Sequence, residues 1–288
     1  MAIELCKKLN GEIVSADSRQ IYKFMDIGTG KKPVNSDISI EKKENCWILD
    51  GIKVWGYDLV DPTAYFSAYD YAVFAIQKIK DIISEGKTPF LVGGTGFYIN
   101  VVTGDIKTNQ APPDFKLRKV LENYSAEQLK EELEKINPEL ALKTDLKNPV
   151  RMIRAIEKTK SKVKRDPLEL LENTEFKKIG LVGPRDVLYE RVDTWVEKIW
   201  ENGLLVETKS LLDSEFSNSN KLQGLVYKTV VKFLKNEISE QDAIQKIKHN
   251  LHAYIRRQQT YFKKMQGINW IDITQDNKFE TVYNIANG

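Results

Sequence analysis

The stretch FLVGGTGFY, residues 90–98, indicates the fold class of this 288-residue chain. Residues 90–92 are a short apolar run that ends at a turn signal, which is typical of a buried strand. Gly93 and Gly94 follow, between this strand and a helix. Glycines in such a turn let backbone N–H groups approach an anion, and Thr95 adds a hydroxyl. They also serve a plain tight turn, so the cluster alone is weak support for phosphate binding.

Similar strands lie on both sides of this stretch. Residues 12–16 (EIVSA), 179–182 (IGLV) and 268–271 (INWI) are short runs of the same kind, and a long amphipathic helix is predicted at residues 67–84. Residues 47–60 are predicted to be extended, with a turn at Asp50-Gly51. Strands separated by helices predict an α/β fold with a mainly parallel sheet. Residues 114–171 are helical and lysine-rich without a strand signal, so they are interpreted as a helical insertion.

The composition is that of an ordinary globular protein, with 41% hydrophobic and 30% charged residues. No apolar run approaches the roughly 18 residues of a membrane span, and no signal-peptide pattern opens the sequence. Cys6 and Cys46 have no partners at metal spacing, which argues against a disulfide framework or structural zinc and favours a reducing cytoplasm. The net charge of +3 is too small to indicate nucleic-acid binding by itself.

Polar residues follow the predicted strands, and ligands in open α/β sheets gather at the carboxyl ends of strands. Asp17 comes just after the first strand and is a candidate general base or metal ligand. A plain helix cap or turn residue is an equally good interpretation. Arg191 lies in the helix after residues 179–182. Its guanidinium is suited to binding phosphate, although most helical arginines are solvated surface residues.

Basic residues concentrate in two helical stretches. Residues 151–165 hold seven lysines and arginines, and residues 254–264 hold four, with aromatic residues interleaved. Such patches suit RNA phosphates and stacked bases, but nearby acidic residues make a solvated charged face the default for each. His249 and His252 share a lysine-rich helix without ligand partners, so they are interpreted as structural or surface residues.

Taken together and in order, these segments resemble the tRNA dimethylallyltransferase family over nearly the whole chain. The combination of DSRQ and MDIGT with VGGTG is its most specific part. The matching segments are ADSRQIYKFMDIGTGKK (16–32), DPTAYFSAYDY (61–71), LVGGTGFYI (91–99), NPVRMIRAIE (148–157), LYERV (188–192), GLLVE (203–207), YIRRQQTYFKK (254–264) and NWID (269–272).

The resemblance implies an α/β core with a P-loop-type parallel sheet at residues 1–108 and 175–288, including C-terminal helices. Residues 109–174 would be a helical tRNA-binding insertion. The implied reaction transfers a dimethylallyl group from dimethylallyl diphosphate to the N6 amine of the adenosine 3′-adjacent to the anticodon, after that adenosine is flipped out. The implied partners are the tRNA anticodon stem-loop and dimethylallyl diphosphate, and a cytoplasmic monomer without a membrane association is expected.

By motif match, Asp17 would be the general base, Thr95 would hydrogen-bond the diphosphate, and Arg191 would stabilise the charge that grows on it. Gly93 and Gly94 would lie against the same diphosphate. The residues that the resemblance places at the tRNA, or in support of its site, are Asp17, Ser18, Arg19, Gln20, Arg118, Arg151, Arg154, Arg257 and Gln258.

The family's opening strand and G-x-x-x-x-G-K-[ST] loop have no counterpart in this sequence, because residues 1–5 match the helix that follows that loop. Gly86-Lys87-Thr88 is not a substitute, since Asp81 stands where the first glycine belongs. The resemblance implies Mg²⁺ as cofactor, but its P-loop ligand is missing, so no metal ligand is assigned. The sheet would also lack its first strand, and a chain of these residues alone is expected to be inactive.

Three explanations are compatible with these observations. The coding frame extends upstream of Met1, which the uncapped first helix favours. Alternatively, the chain is a degenerate remnant that binds RNA without catalysis. A third alternative is a P-loop-like kinase of small molecules, against which the tRNA-side segments and the missing loop both argue.

Overall fold

A computed structural model describes residues 1–34, 37–44, 46–108, 111–172 and 174–288. The chain divides into two compact units. The larger consists of Met1–Ile106 and Leu170–Gly288, and the smaller is Lys107–Glu169. The insertion was expected at residues 109–174, and residue 109 lies outside the described residues. Among the helices of the described residues, none has the length and apolar character needed to cross a membrane.

The larger unit contains a five-stranded sheet in the order β2-β3-β4-β1-β5. Its strands are β1 (Gly11–Ser15), β2 (Ile40–Lys42), β3 (Trp47–Leu49), β4 (Ile52–Trp55) and β5 (Thr88–Val92). β1 lies between β4 and β5 and runs parallel to both. Every residue of β1 is buried, as the short apolar run in the sequence predicts.

The expectation of a mainly parallel sheet is confirmed where β1 pairs with β4 and β5, and two features of the sheets differ from it. First, β2, β3 and β4 form an antiparallel meander. The turn between β3 and β4 consists of Asp50 and Gly51, both with positive φ (51° and 82°), and so short a turn joins only antiparallel strands. Second, β6 (Lys178–Val182) and β7 (Ile268–Asp272) pair in parallel with each other in a separate two-stranded sheet.

Helices surround these sheets and form the smaller unit. In chain order they are α1 (Ala2–Lys8), α2 (Ala68–Ser84), α3 (Gly96–Val102), α4 (Phe115–Leu121), α5 (Ala126–Ile136), α6 (Pro138–Lys143), α7 (Pro149–Lys160), α8 (Arg185–Ile199), α9 (Leu205–Leu212), α10 (Tyr227–Leu234), α11 (Glu240–Phe262) and α12 (Lys278–Asn287). A kinked turn at Trp200–Leu204 joins α8 to α9, and Gly203 supplies its positive φ of 104°. A short 3-10 turn, Asn220–Gln223, precedes α10.

The predicted helix at residues 67–84 is confirmed as α2. Ser67 caps it with a capping box, since its hydroxyl accepts from the Asp70 N–H while the Asp70 carboxylate accepts from the Ser67 N–H at 2.8 Å. Ile76, Ile79 and Ile82 recur at helical spacing and are buried against the rest of the unit. Local sequence therefore fixes both the start of α2 and the face that it buries.

The smaller unit, Lys107–Glu169, is a group of four helices, α4 to α7. Its core is built from apolar residues that include Leu129 and Leu133 of α5 and Met152 and Ile156 of α7. The expectation that helix continues to about residue 171 is wrong, because α7 ends at Lys160 and residues 161–171 contain no helix. The residues after Lys160 show no apolar periodicity, so a helix there would have no apolar face to bury. Pro167 also cannot donate a helical hydrogen bond.

Candidate active site

The candidate site lies where β1 and β5 end. Because the two strands are parallel, their carboxyl ends are neighbours, and Ala16 donates its N–H to the Val92 carbonyl at 2.8 Å. The chain after β5 turns back, so that Thr95 donates its N–H to the Ala16 carbonyl at 3.1 Å. A Cβ on Gly93 would lie 2.3 Å from the backbone of Ala16. Only glycine allows this approach, which brings the segment after β1 against the glycine turn.

Thr95 and Ser18 join these two segments. The Thr95 Oγ1 accepts from the Ser18 N–H at 3.0 Å and donates to the Ser18 Oγ at 3.2 Å. Two predicted site residues from segments 77 positions apart therefore share one small polar cluster. The Ser18 hydroxyl accepts in this pair, so its own hydrogen is suited to bonding an oxyanion.

Asp17 is half-buried beside this cluster. Burial raises the pKa of its carboxyl above the ordinary value, and hydrogen bonds from the Arg19 and Gln20 N–H groups and the Arg19 charge offset part of the rise. The Arg19 N–H donates to Asp17 Oδ1 at 2.8 Å. A carboxylate with a raised pKa is a stronger proton acceptor than a solvated one, as a general base requires. The bonds from the Arg19 and Gln20 N–H groups are those of a turn residue, and they are compatible with a general base as well.

Tyrosines surround Asp17, and sequence reasoning missed them. Tyr71 of α2 donates its hydroxyl to the Ser15 carbonyl at 2.9 Å and stacks on Tyr98 with ring centroids 4.1 Å apart. Burial raises the pKa of both hydroxyls, and the negative charge of Asp17 raises them further. Both tyrosines lie in the segments that carry the family resemblance, DPTAYFSAYDY and LVGGTGFYI. Their presence there was the signal that could have identified them.

Helix α11 lies over the glycine turn. Gln258 donates its Nε2 to the Gly94 carbonyl at 3.0 Å, and a Cβ on Gly94 would come within 2.2 Å of that nitrogen. Arg257 is exposed, and its guanidinium lies 5.8 Å from the centre of the Tyr254 ring. An open cavity of about 440 Å³ beside it is lined by Ala253, Arg256, Arg257, Thr260, Tyr261 and Lys264. This basic cavity is suited to phosphate groups.

The remaining predicted residues of the larger unit differ in how firmly they are held. Arg19 donates its Nη2 to the Lys221 carbonyl at 3.2 Å. Gln20 donates to the Thr29 carbonyl at 3.3 Å. Arg191 is exposed on α8 and forms no hydrogen bond or ion pair within the described part of the chain. The structure thus joins Ser18 and Thr95 by hydrogen bonds, with Asp17 next to Ser18 in the chain. No bond within the described residues links Arg191 to them.

In the smaller unit, two of the predicted tRNA-binding arginines are engaged with one buried carboxylate. Arg118 donates Nε and Nη2 to Glu157 at 2.6 and 2.9 Å, and Arg154 donates Nη1 to Glu157 at 3.1 Å. Arg154 also donates Nη2 to the Ala111 carbonyl at 2.6 Å. Arg151 differs, because its side chain is 66% exposed and its ion pair within the described residues is with the exposed Asp145, at 3.1 Å.

The site offers little to a resident metal ion. Among the described residues, no group of three or more His, Cys, Asp or Glu side chains could hold one. Mg²⁺ requires about six oxygen ligands in octahedral geometry. In proteins, water and substrate phosphates usually supply most of these ligands beside one or two carboxylates, and the carboxylate at this site is that of Asp17.

The chain is similar to known proteins over nearly its whole length. A protein from Finegoldia magna named tRNA dimethylallyltransferase is 36% identical over 296 residues, which cover 99% of this chain and 90% of the relative. A tRNA dimethylallyltransferase from Acetivibrio thermocellus is also 36% identical, covering 94% of this chain and 87% of the relative. Similarity of this extent includes both units.

Solved structures show the same fold. The crystal structure of the full-length tRNA isopentenylpyrophosphate transferase from Bacillus halodurans matches with a TM-score of 0.67 and 32% identity, covering 100% of this chain and 90% of that one. A eukaryotic dimethylallyltransferase acting on tRNA matches with a TM-score of 0.75, covering 99% of this chain and 73% of that one. At 23% identity this second match supports the fold alone. A family model described as IPP transferase matches residues 20–265, and with relatives this similar along its length the chain belongs to the IPP transferase family.

Proposed function

We propose that this chain transfers a dimethylallyl group from dimethylallyl diphosphate to the N6 amine of the adenosine 3′-adjacent to the anticodon in tRNA. The observation that carries the proposal is the meeting of Asp17 with the Ser18–Thr95 cluster at the ends of β1 and β5. This cluster occurs in a chain that matches tRNA dimethylallyltransferases over nearly its full length. A proton acceptor and an oxyanion site side by side suit this reaction.

In the proposed reaction, the N6 amine forms a bond to the allylic carbon while the bond from that carbon to the diphosphate oxygen breaks. The electron pair of the broken bond leaves with the diphosphate. The amine proton passes to the Asp17 carboxylate, whose raised pKa strengthens it as a base. An exocyclic amine on an aromatic base is a weak nucleophile, so removal of its proton assists the transfer.

The diphosphate would lie against Gly93, Gly94 and Thr95, on the side where Gly93 is exposed. Arg191 would neutralise the charge that develops on the leaving group, since its guanidinium is exposed and unpaired within the described residues. Such an interaction is stronger in the transition state than in the ground state, so it raises the rate of transfer. Mg²⁺ would be bound mainly by oxygens of the diphosphate itself.

The tRNA would be held by several groups. Ser18, Arg19 and Gln20 would lie at the target adenosine, and Arg257 and Gln258 beside the glycine turn. In the helical insertion, Arg151 would contact phosphate directly because it is exposed. Arg118 and Arg154 would instead support the site, because their pairing with the buried Glu157 fixes α4 against α7.

The proposed core also includes one further strand between β5 and β6. Within the described residues, β5 pairs only with β1 and β6 only with β7, yet Phe90 of β5 and Ile179 of β6 belong to one apolar cluster around Leu5. Val92 and Leu181 are 37% and 52% exposed, which is unusual for apolar residues of a parallel sheet. A strand from a segment outside residues 1–288 would cover both, and a G-x-x-x-x-G-K-[ST] loop after it would reach the diphosphate.

The test of the proposed function is transfer from radiolabelled dimethylallyl diphosphate to unmodified tRNA, with residues 1–288 joined to such a strand and loop. Digestion to nucleosides should place the label on the adenosine beside the anticodon. Asp17→Asn in the same protein is the matched control and should transfer little. Binding of tRNA without transfer would support the RNA-binding remnant instead, and ATP-dependent phosphorylation of a small molecule would support the kinase.

A further inference from the structure

A single carboxylate holds the turn that follows the site segment. The backbone N–H groups of Asp26 and Ile27 donate to Glu207 Oε2 at 2.8 and 2.7 Å. The N–H of Gly28 donates to Glu207 Oε1 at 3.0 Å, and the Tyr227 hydroxyl donates to the same oxygen at 2.7 Å. Successive N–H groups that converge on one point form an anion-binding nest, and here the anion is a side chain of the protein itself.

This arrangement uses the full hydrogen-bonding capacity of Glu207. An ionised carboxylate has about four acceptor positions, and four donors occupy them. Because the acceptor is charged, each bond is stronger than one between neutral groups. The fit is also steric, since a Cβ on Gly28 would lie 2.6 Å from the Tyr227 ring. The turn at residues 26–28 is therefore shaped to these two side chains.

The two partners come from distant parts of the chain. Glu207 is on α9, and Tyr227 is the first residue of α10, about 180 and 200 positions after the turn. Tyr227 is buried in an apolar cluster of the C-terminal helices, which also contains Ile21 and Met25 from the segment after β1. The C-terminal helices thus fix the position of the turn, which its own short sequence could not do.

The turn at residues 26–28, once it is fixed in this position, holds the side chain of Gln20. The Gln20 Nε2 donates to the Thr29 carbonyl at 3.3 Å, and its Oε1 accepts from the Ser15 hydroxyl at 2.7 Å. Thr29 is itself tied back through its hydroxyl to the Met25 carbonyl. The amide of Gln20 is therefore fixed at one end by β1 and at the other by the turn. Displacement of the turn would release one of these two ends.

We propose that Glu207 is a positioning residue that, through the turn at residues 26–28, orients Gln20 toward the target adenosine of the tRNA. Glu207 touches neither substrate, and Tyr227 assists it by fixing its carboxylate. This inference rests on the proposed function, in which Gln20 lies at that adenosine. Glu207 thereby joins the residues that serve tRNA recognition, and it acts only through the backbone of residues 26–28.

Glu207→Gln tests the proposal, because the amide replaces one acceptor atom by a donor and cannot accept from all three N–H groups. Hydrogen exchange of the amides at residues 26–28 should accelerate by roughly tenfold or more, as expected for the loss of a charge-assisted bond. Binding is then compared for two anticodon stem-loops, one with the target adenosine and one abasic at that position. The variant should lose most of the preference for the adenosine while keeping its affinity for the abasic stem-loop.

Glu215→Gln is the matched control, because it removes the same charge from an exposed side chain that makes no hydrogen bond or ion pair within the described residues. It should leave both exchange and binding unchanged. Tyr227→Phe should produce a weaker form of the Glu207→Gln effect. Equal losses of affinity for both stem-loops would mean that Glu207 only stabilises the fold, and would overturn the proposal.

The exchange measurement separates this proposal from the proposed function. Unchanged exchange at residues 26–28 in Glu207→Gln would overturn the positioning role alone. If the unsubstituted protein showed no preference for the adenosine, the proposed function and the role of Gln20 would both fail. Accelerated exchange would then still establish that Glu207 holds the turn.

Discussion

Asp17 is the residue whose chemistry depends most on its surroundings. Burial raises its pKa above about 3.9, the ordinary value for aspartate, and a general base acts in its ionised form. Turnover should therefore fall as the pH decreases through this raised pKa, so the acid limb of kcat should lie above that of an ordinary aspartate. Single-turnover rates across pH would measure it. An acid limb at or below the ordinary aspartate pKa would contradict the assignment.

Asp17→Asn keeps the shape of the side chain and removes the proton acceptor. Turnover should decrease by about 10²–10⁴-fold, the usual contribution of acid–base catalysis, and the acid limb should disappear. Affinity for tRNA should change much less, because the carboxylate acts on one proton of the substrate. Near-normal turnover of this variant would assign the proton transfer to another group, such as the diphosphate.

The arginines of the smaller unit, Lys107–Glu169, should differ in how much they stabilise the fold, because their carboxylate partners differ in burial. Glu157 has a fully buried side chain, and it keeps its ion pair with Arg154 when Arg118 is replaced. Arg118→Ala should therefore lower the free energy of unfolding by roughly 1.5–3 kcal/mol, the usual contribution of hydrogen bonds to a charged group. Arg151→Ala is the control and should cost about 1 kcal/mol or less, since its ion pair is exposed. Equal destabilisation by the two substitutions, in denaturant unfolding, would contradict this division.

Arg151 should instead affect RNA binding. An exposed arginine that neutralises one phosphate contributes about one unit to the slope of log affinity against log salt. Arg151→Ala should therefore reduce that slope by about one unit for an anticodon stem-loop, with unfolding little changed. An unaltered slope would show that this part of the smaller unit faces solvent in the complex.

At the scale of elements, the sequence predicted those helix and strand positions that interactions between neighbouring residues determine. The capping box at Ser67 illustrates this, because the cap and its partner Asp70 are three residues apart. Ser67→Ala should lower the free energy of unfolding by about 1 kcal/mol. Thermal unfolding would measure the change, and an unshifted midpoint would mean that packing of Tyr71 and the buried isoleucines alone fixes the start of α2.

Elements that depend on distant partners were not predictable in the same way. The strands at residues 12–16 and 90–92 could be identified from apolar runs, and the resemblance brought Asp17 and Thr95 into one site. By contrast, nothing near Glu207 in the sequence indicates that it binds three N–H groups about 180 positions earlier. The hairpin of β3 and β4 was predictable, because the turn signal at Asp50-Gly51 divides the extended stretch at residues 47–60. The strand β2 was missed, because it is only three residues long. Such short segments carry almost no periodic signal.

At the scale of the whole molecule, the two sheets of the larger unit end in edges that other strands can pair with. Exposed apolar edges favour association between chains, since unpaired N–H and C=O groups accept any strand of suitable length. Residues 1–288 alone should therefore aggregate more readily than a form that carries an additional apolar strand followed by a G-x-x-x-x-G-K-[ST] loop. Light scattering during refolding would measure the difference.

The same addition should increase prenyl transfer, because the loop would add backbone N–H groups and a lysine to Thr95 and Arg191 at the diphosphate. Both forms should bind an anticodon stem-loop, since the proposed tRNA contacts lie within residues 1–288. Replacing the loop lysine by alanine in the longer form separates the two effects: the strand would still cover β5 and β6, whereas transfer would fall. Robust dimethylallyl incorporation by residues 1–288 alone would show that the glycine turn at Gly93 and Gly94 is a sufficient diphosphate site. In that case the strand between β5 and β6 would have no part in catalysis.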